Sequence, residues 1–187
     1  MKFSMKKVTV LLADGFEEIE ALTVVDLLRR AKVYVDTVSI TDDYTVRGAH
    51  GIPVQTEDLI TEIDFKESDM IVLPGGMPGT TNLKEDENVG KAVQEAYDDG
   101  RYVAAICAAP TILADMGILK GKRATCYPDM ESEIEDAYLT GAPVATDENI
   151  ITSQGVGTAI DFALKLIEVL ISEEKAVEIA DSIVYQR

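Results

Sequence analysis

Short aliphatic and β-branched runs alternate with stretches of helical period along almost the whole chain, and this alternation restricts the available folds most. Val8 to Ala13, Val33 to Ile40, Met70 to Leu73, Tyr102 to Ile106, Lys122 to Cys126 and Ile150 to Ser153 read as strands. Gly51 to Thr56 and Ala142 to Thr146 read as shorter ones. Between and after them, Glu17 to Ala31, Asn88 to Asp99, Ala108 to Ala114, Thr158 to Ile171 and Glu173 to Val184 carry helical patterns, with Gly100 and Gly117 as stops. Strand–helix alternation of this kind implies βαβ units, hence an α/β fold with a mostly parallel sheet and helices on both faces. No repeat, low-complexity tract or linker interrupts it, so one domain over residues 1–187 is expected. Such sheets bind ligands beyond the carboxyl ends of their strands. Three loops leave strand ends, at Asp14-Gly15, Pro74 to Gly79 and Cys107, and are expected to converge.

Composition narrows the partners. Seventeen Lys and Arg oppose 34 Asp and Glu, a formal net charge of −17. Nucleic-acid backbones and anionic membrane surfaces would be repelled, so neither is expected as a partner. Cys107 and Cys126 are the only cysteines and form no CxxC pair, which fits a reducing cytoplasm. The basic start, Met1 to Lys7, resembles the first part of a signal peptide, but the apolar run behind it stops at Asp14. No stretch is long enough for a membrane span. His50 is the single histidine and has no cysteine or carboxylate at ligand spacing in the sequence, so no metal and no organic cofactor is expected.

Cys107 lies between the Tyr102 to Ile106 strand and a helix-like run, flanked at a distance of two by Ala105 and Ala109. A cysteine at a strand-to-helix bend, beside a helix N-terminus, is the thiol counterpart of a serine nucleophile elbow. The helix dipole and free N–H groups favour the thiolate, so Cys107 is expected to titrate below the usual value of about 8.5. Packing as a small hydrophobe is the competing reading. Cys126 reads as mid-strand and inert.

On the Glu17 to Ala31 helix, positions 20, 24, 27 and 31 share a face and read Glu, Val, Leu, Ala. Glu20 therefore opens the apolar stripe, where a carboxyl group tends to stay protonated near neutrality and to serve as acid and base. Glu17 and Glu18 need no more than the helix dipole to account for them, with Glu18 on the side of Arg29. In Pro74 to Gly79, glycines permit close backbone approach, making Gly75 and Gly76, with Ala108, candidate oxyanion donors. His50, in Gly48-Ala49-His50-Gly51, is a candidate base but reads more readily as a solvent-facing loop residue.

Four segments in order, Leu11 to Glu20, Leu73 to Gly79, Ala104 to Pro110 and Ile151 to Thr158, give the chain a resemblance to the DJ-one/ThiJ/PfpI superfamily over nearly its whole length. The resemblance implies a flavodoxin-like three-layer sandwich and a homodimer, with the Glu17 to Arg30 helix or the His50 loop near the interface. It places the family's reactive cysteine at Cys107, its protonated glutamate at Glu20, and backbone donors at Gly75, Gly76 and Ala108. Among the branches, the parkinsonism-associated deglycase branch is nearest. Protease-like and chaperone-like branches carry a histidine where Ala108 stands, the nearest branch has one where Tyr127 stands, and Val156 replaces a common proline. Glu17, His50 and Tyr127 remain candidates for supporting or interface roles.

The activity so implied is cofactor-independent chemistry on small reactive aldehydes or glycated groups, of glyoxalase III or deglycase type, taking methylglyoxal to lactate through a Cys107 hemithioacetal. The alternative is a redox-sensing, stress-protective protein whose Cys107 is oxidised to a sulfinic acid capped by Glu20. A cysteine protease or amidotransferase comes third, because the histidine beside the nucleophile is missing.

Overall fold

A computed structural model describes residues 5–186. Met1 to Ser4 of the basic N-terminal run lie outside the described residues. The strands are β1 (Lys7–Leu12), β2 (Tyr34–Ser39), β3 (Thr45–Arg47), β4 (Pro53–Gln55), β5 (Asp58–Leu59), β6 (Met70–Leu73), β7 (Tyr102–Ile106), β8 (Arg123–Ala124), β9 (Tyr138–Leu139), β10 (Val144–Asp147) and β11 (Ile150–Ser153). The helices are α1 (Glu18–Arg30), α2 (Gly79–Glu85), α3 (Glu87–Asp98), α4 (Pro110–Asp115), α5 (Ala159–Leu170) and α6 (Glu173–Ser182).

Seven strands form one sheet in the order β10-β11-β7-β6-β1-β2-β5. All neighbours are parallel except β10 and β11, which form an antiparallel pair. Side chains alternate across the sheet as strand geometry requires. Val8, Val10 and Leu12 of β1, with Ala104 and Ile106 of β7, pack in one core with α1, α5 and α6. Leu11 of β1, with Val103 and Ala105 of β7, joins the opposite core with α3 and α4. The result is the expected flavodoxin-like sandwich, in which β11, β7, β6 and β1 are adjacent and end on the same edge.

Several local expectations need correction. Lys122 to Cys126 is not a strand of the main sheet; only Arg123–Ala124 is extended, and it pairs with β9 in a separate two-stranded ribbon. The next residues turn to other partners, Thr125 N–H donating to Thr152 Oγ1 at 2.9 Å and Tyr127 N–H to the Cys107 carbonyl at 2.8 Å. The helix after Cys107 starts only at Pro110, where the ring's fixed φ and missing N–H suit a first turn. Helix α2 follows the Pro74 to Gly79 loop and was unread in the sequence, because seven residues are too few to show a period.

The β2 edge is closed by side chains. Only Asp58–Leu59 pairs with the end of β2. Upstream, Arg29 donates to the Val35 carbonyl at 2.9 Å, and the Glu57 carboxylate accepts from Thr37 N–H at 3.0 Å.

Candidate active site

Cys107 takes the bend at the end of β7 with φ +64°, a left-handed conformation that a non-glycine residue adopts only when its surroundings enforce it. Its N–H donates to the Ser153 carbonyl of β11 at 3.0 Å, and its own carbonyl accepts from Tyr127. The side chain is half-buried, and the N–H groups of Ala108 and Gly76 reach the sulfur. Gly75 must lack a side chain. A Cβ there would lie 2.5 Å from Cys107 Cβ and 2.7 Å from Glu20 Oε2.

Glu20, on the first turn of α1, is 0% exposed, as its place at the head of the apolar stripe predicts. Its Oε2 accepts from Gly75 N–H at 2.9 Å. That contact corrects one expectation: the Gly75 N–H is committed to Glu20, which leaves Gly76 and Ala108 as the donors directed at sulfur. Glu20 Oε1 is buried with no partner at hydrogen-bond distance among the described residues. Cys107 is the polar side chain that interacts with this carboxyl group.

The electrostatics of the pair differ from the sequence expectation. Burial raises Glu20 to about 7, aided by the charge of Glu17 and opposed by Cys107 and the Gly75 N–H. Burial and then the Glu20 charge push the Cys107 thiol up to about 12, against the pull of Ala108 and Gly76. A thiol titrating below the ordinary range is therefore not what the site holds while Glu20 is anionic. The helix dipole is outweighed because α4 is short and starts three residues away, whereas the carboxyl group is adjacent. Once Glu20 is ionised, above about pH 7, the two groups hold one proton between them, and moving it from sulfur to Glu20 removes the charge that disfavours the thiolate.

Glu17 and Glu18 do more than complement a dipole. Glu17 is the N-cap of α1, its Oε2 accepting from Glu20 N–H at 2.8 Å. Glu18 is buried; its Oε1 accepts from His50 N–H at 2.8 Å and its Oε2 lies 2.7 Å from His50 Nδ1. Burial pushes Glu18 upward, but the His50 contacts outweigh it and hold the group below its ordinary value. The same Glu18 hydrogen bond raises His50. The sequence showed no carboxylate spaced to ligate His50, yet the fold brings one donor atom each from Glu17, Glu18 and His50 within 4.8 Å of one another. Both Glu18 oxygens are engaged by His50, so the cluster is a hydrogen-bonded network.

A cavity of about 390 Å³ opens over the pair. Tyr127 and Val156, both partly exposed, stand on its wall, and Glu17, a candidate for a supporting or interface role, lines it too. The N-cap position was the available signal for Glu17, since a cap side chain curls back over the helix end. His50 is not among the lining residues; its side chain is 70% exposed. Cys126 is fully buried, its thiol pushed up to about 11 by burial and by Glu131 and Glu133.

The family model described as the DJ-1/PfpI family matches residues 6–169. The chain belongs to this family. Among its members, Protein DJ-1 homolog B of Arabidopsis thaliana is 39% identical over 186 residues, 98% of this chain and 42% of that one. The chain therefore spans less than half the length of that relative. Glutathione-independent glyoxalase DJ-1 of Schizosaccharomyces pombe is 34% identical over 91% of this chain and 94% of its own. The crystal structure of Drosophila melanogaster DJ-1beta superposes with a TM-score of 0.94 at 34% identity, covering 98% of this chain and 100% of that one. No helix among the described residues is long and apolar enough to cross a membrane.

Proposed function

We propose that the protein is a glutathione-independent glyoxalase or deglycase acting on small reactive carbonyls, with methylglyoxal converted to lactate. The observation that carries this reading is the buried Glu20 carboxyl group, anchored on Gly75 and raised to about 7, against the Cys107 thiol. Relatives named as glyoxalases support it at the level of the family.

The steps follow from that pair. Glu20 carboxylate takes the thiol proton as sulfur forms a bond to the aldehyde carbon. The oxygen that gains the electron pair is stabilised by the N–H groups of Gly76 and Ala108 and then receives the proton from Glu20, giving a hemithioacetal. Glu20 next removes the C1 proton and returns it to C2, while the proton of the C1 hydroxyl passes to the C2 oxygen, so that C1 is oxidised and C2 reduced within one molecule. The product is a lactoyl thioester, and water cleaves it to lactate and free thiol. A base whose pKa lies near the working pH suits each transfer. Purified protein incubated with methylglyoxal and no glutathione should form lactate, and the Cys107→Ala variant should not; equal rates in both would end the reading.

A redox-sensing role is the second reading, supported by the half-buried position of Cys107, which admits peroxide where Cys126 is closed. Mass spectrometry after peroxide treatment should then find sulfinic acid at Cys107 alone. We also propose a homodimer. Exposed Ile19 and Leu22 on α1, with Ile52 on the loop before β4, offer an apolar face for a second copy. Light scattering that returned the 20.3 kDa monomer would reject it.

A further inference from the structure

The cavity over Cys107 carries charge of one sign. Glu17 and Glu20 line it, and among the described residues on its wall there is no Lys, Arg or His. Glu17 is 8% exposed and is held by the Glu20 N–H, so its carboxylate stays at the cavity instead of swinging into solvent. Its carboxylate lies 2.8 Å from the Glu20 backbone N–H, on the same wall as Cys107. The neighbouring base does not cancel it: His50 Nδ1 is 3.9 Å from Glu17 but 2.7 Å from Glu18, with which it pairs outside the cavity. The rest of the wall, such as Tyr127, Pro128, Gln154 and Val156, is apolar or neutral.

We propose that Glu17 is a specificity-determining residue that makes the cavity an electrostatic filter, admitting neutral or cationic carbonyl compounds to Cys107 and turning away those that carry a carboxylate or phosphate. The carbonyl part of this rests on the glyoxalase reading above. A charge within a partly dry cavity acts more strongly than one in water, because less solvent screens it. Methylglyoxal enters uncharged, whereas the hydroxy acid formed from it ionises once free. The same carboxylate that tolerates the substrate therefore repels the product and hastens its departure. A keto acid such as glyoxylate is excluded at the outset.

Charged alkylating agents test this without turnover. Iodoacetamide and iodoacetate deliver the same carbon to sulfur and differ in charge. Their rate ratio at Cys107, divided by their ratio with free cysteine, should favour the neutral reagent by about tenfold. Glu17→Gln should lower that ratio severalfold, leaving only the part that Glu20 contributes. The amide still offers an oxygen to the Glu20 N–H, so the helix cap persists. Any change in the thiol's own reactivity affects both reagents alike and cancels. Should the variant fail to fold, a salt titration of the wild-type ratio gives the same information, because screening should lower it. A wild-type ratio near one, as when a second copy supplies a cation, would overturn the proposal, and so would a ratio unchanged in Glu17→Gln. A ratio of the expected size in a protein that leaves methylglyoxal intact would remove the carbonyl reading and leave the filter standing. Where turnover is present, Glu17→Gln should raise the rate with glyoxylate relative to methylglyoxal and make lactate a better inhibitor.

Discussion

Replacing Glu20 with glutamine should stabilise the protein by an amount that grows as pH rises from 4.5 to about 7 and is constant above it. Glu20 is wholly buried and raised from 4.5 to about 7. Between those values the native chain holds a proton that the unfolded chain releases, so wild-type stability falls as pH rises through this window and levels off above it. Each pH unit of separation is worth about 1.4 kcal/mol, which puts the full loss at about 3 kcal/mol. Glutamine keeps an oxygen for the Gly75 N–H and carries no charge, so the variant should lose this component of its pH dependence. At pH 8 it should exceed the wild type by up to about 3 kcal/mol, or roughly 6–12 °C in Tm for a chain of this size. At pH 4.5 the two should nearly coincide. Urea or thermal unfolding of both proteins at half-unit steps from pH 4.5 to 8.5 measures the difference, and groups common to both cancel. A difference that is flat across this range would refute the claim that burial holds a proton on Glu20.

The same variant should lose carbonyl turnover by on the order of 100-fold or more, the usual scale for a missing acid–base group, while Glu18→Gln should change it little. Lactate release under saturating methylglyoxal compares them. Gly75→Ala should abolish turnover and weaken Cys107 labelling, because the added methyl collides with Cys107 Cβ and Glu20 Oε2 at once; full activity would contradict the packing described. The His50 imidazole should titrate above its ordinary 6.5 and move back toward it in Glu18→Gln, as followed by NMR of the ring protons.

Strand ends and the Glu20 facing were legible in the sequence because both follow from local periods. Aliphatic and β-branched runs mark β1, β6 and β7, with Gly15 and Pro74 beyond the first two and Cys107 at the end of the third, and the 3.6-residue repeat placed Glu20 on the buried stripe with Val24 and Leu27. Cys107 stood out because a thiol between a strand and a helix has few conformations open to it. The thiol's charge state was not legible. It depends on the adjacent Glu20 carboxyl group, 87 residues away in sequence, and on burial by β11 and the Tyr127 segment. The Glu18–His50 pairing was hidden for the same reason, since 32 positions separate the partners and a hairpin of β3 and β4 brings them together. In β8 propensity pointed to sheet, but the main-sheet position was already filled by β10 beside β11.

The side-chain closure of β2 has a consequence for how copies of this chain meet. A bare strand edge is a template on which another chain can add, and parallel sheets offer long ones. Here the outward carbonyl of Val35 is taken by Arg29 and the outward N–H of Thr37 by Glu57, while β5 covers only the last residues of β2. A neighbouring strand would have to displace two charged side chains that are already paired with each other. Open-ended strand addition is thereby disfavoured at this edge. Losing Glu57 would convert a guarded border into an adhesive one, so the cost of that mutation should show as insolubility before it shows as lost activity.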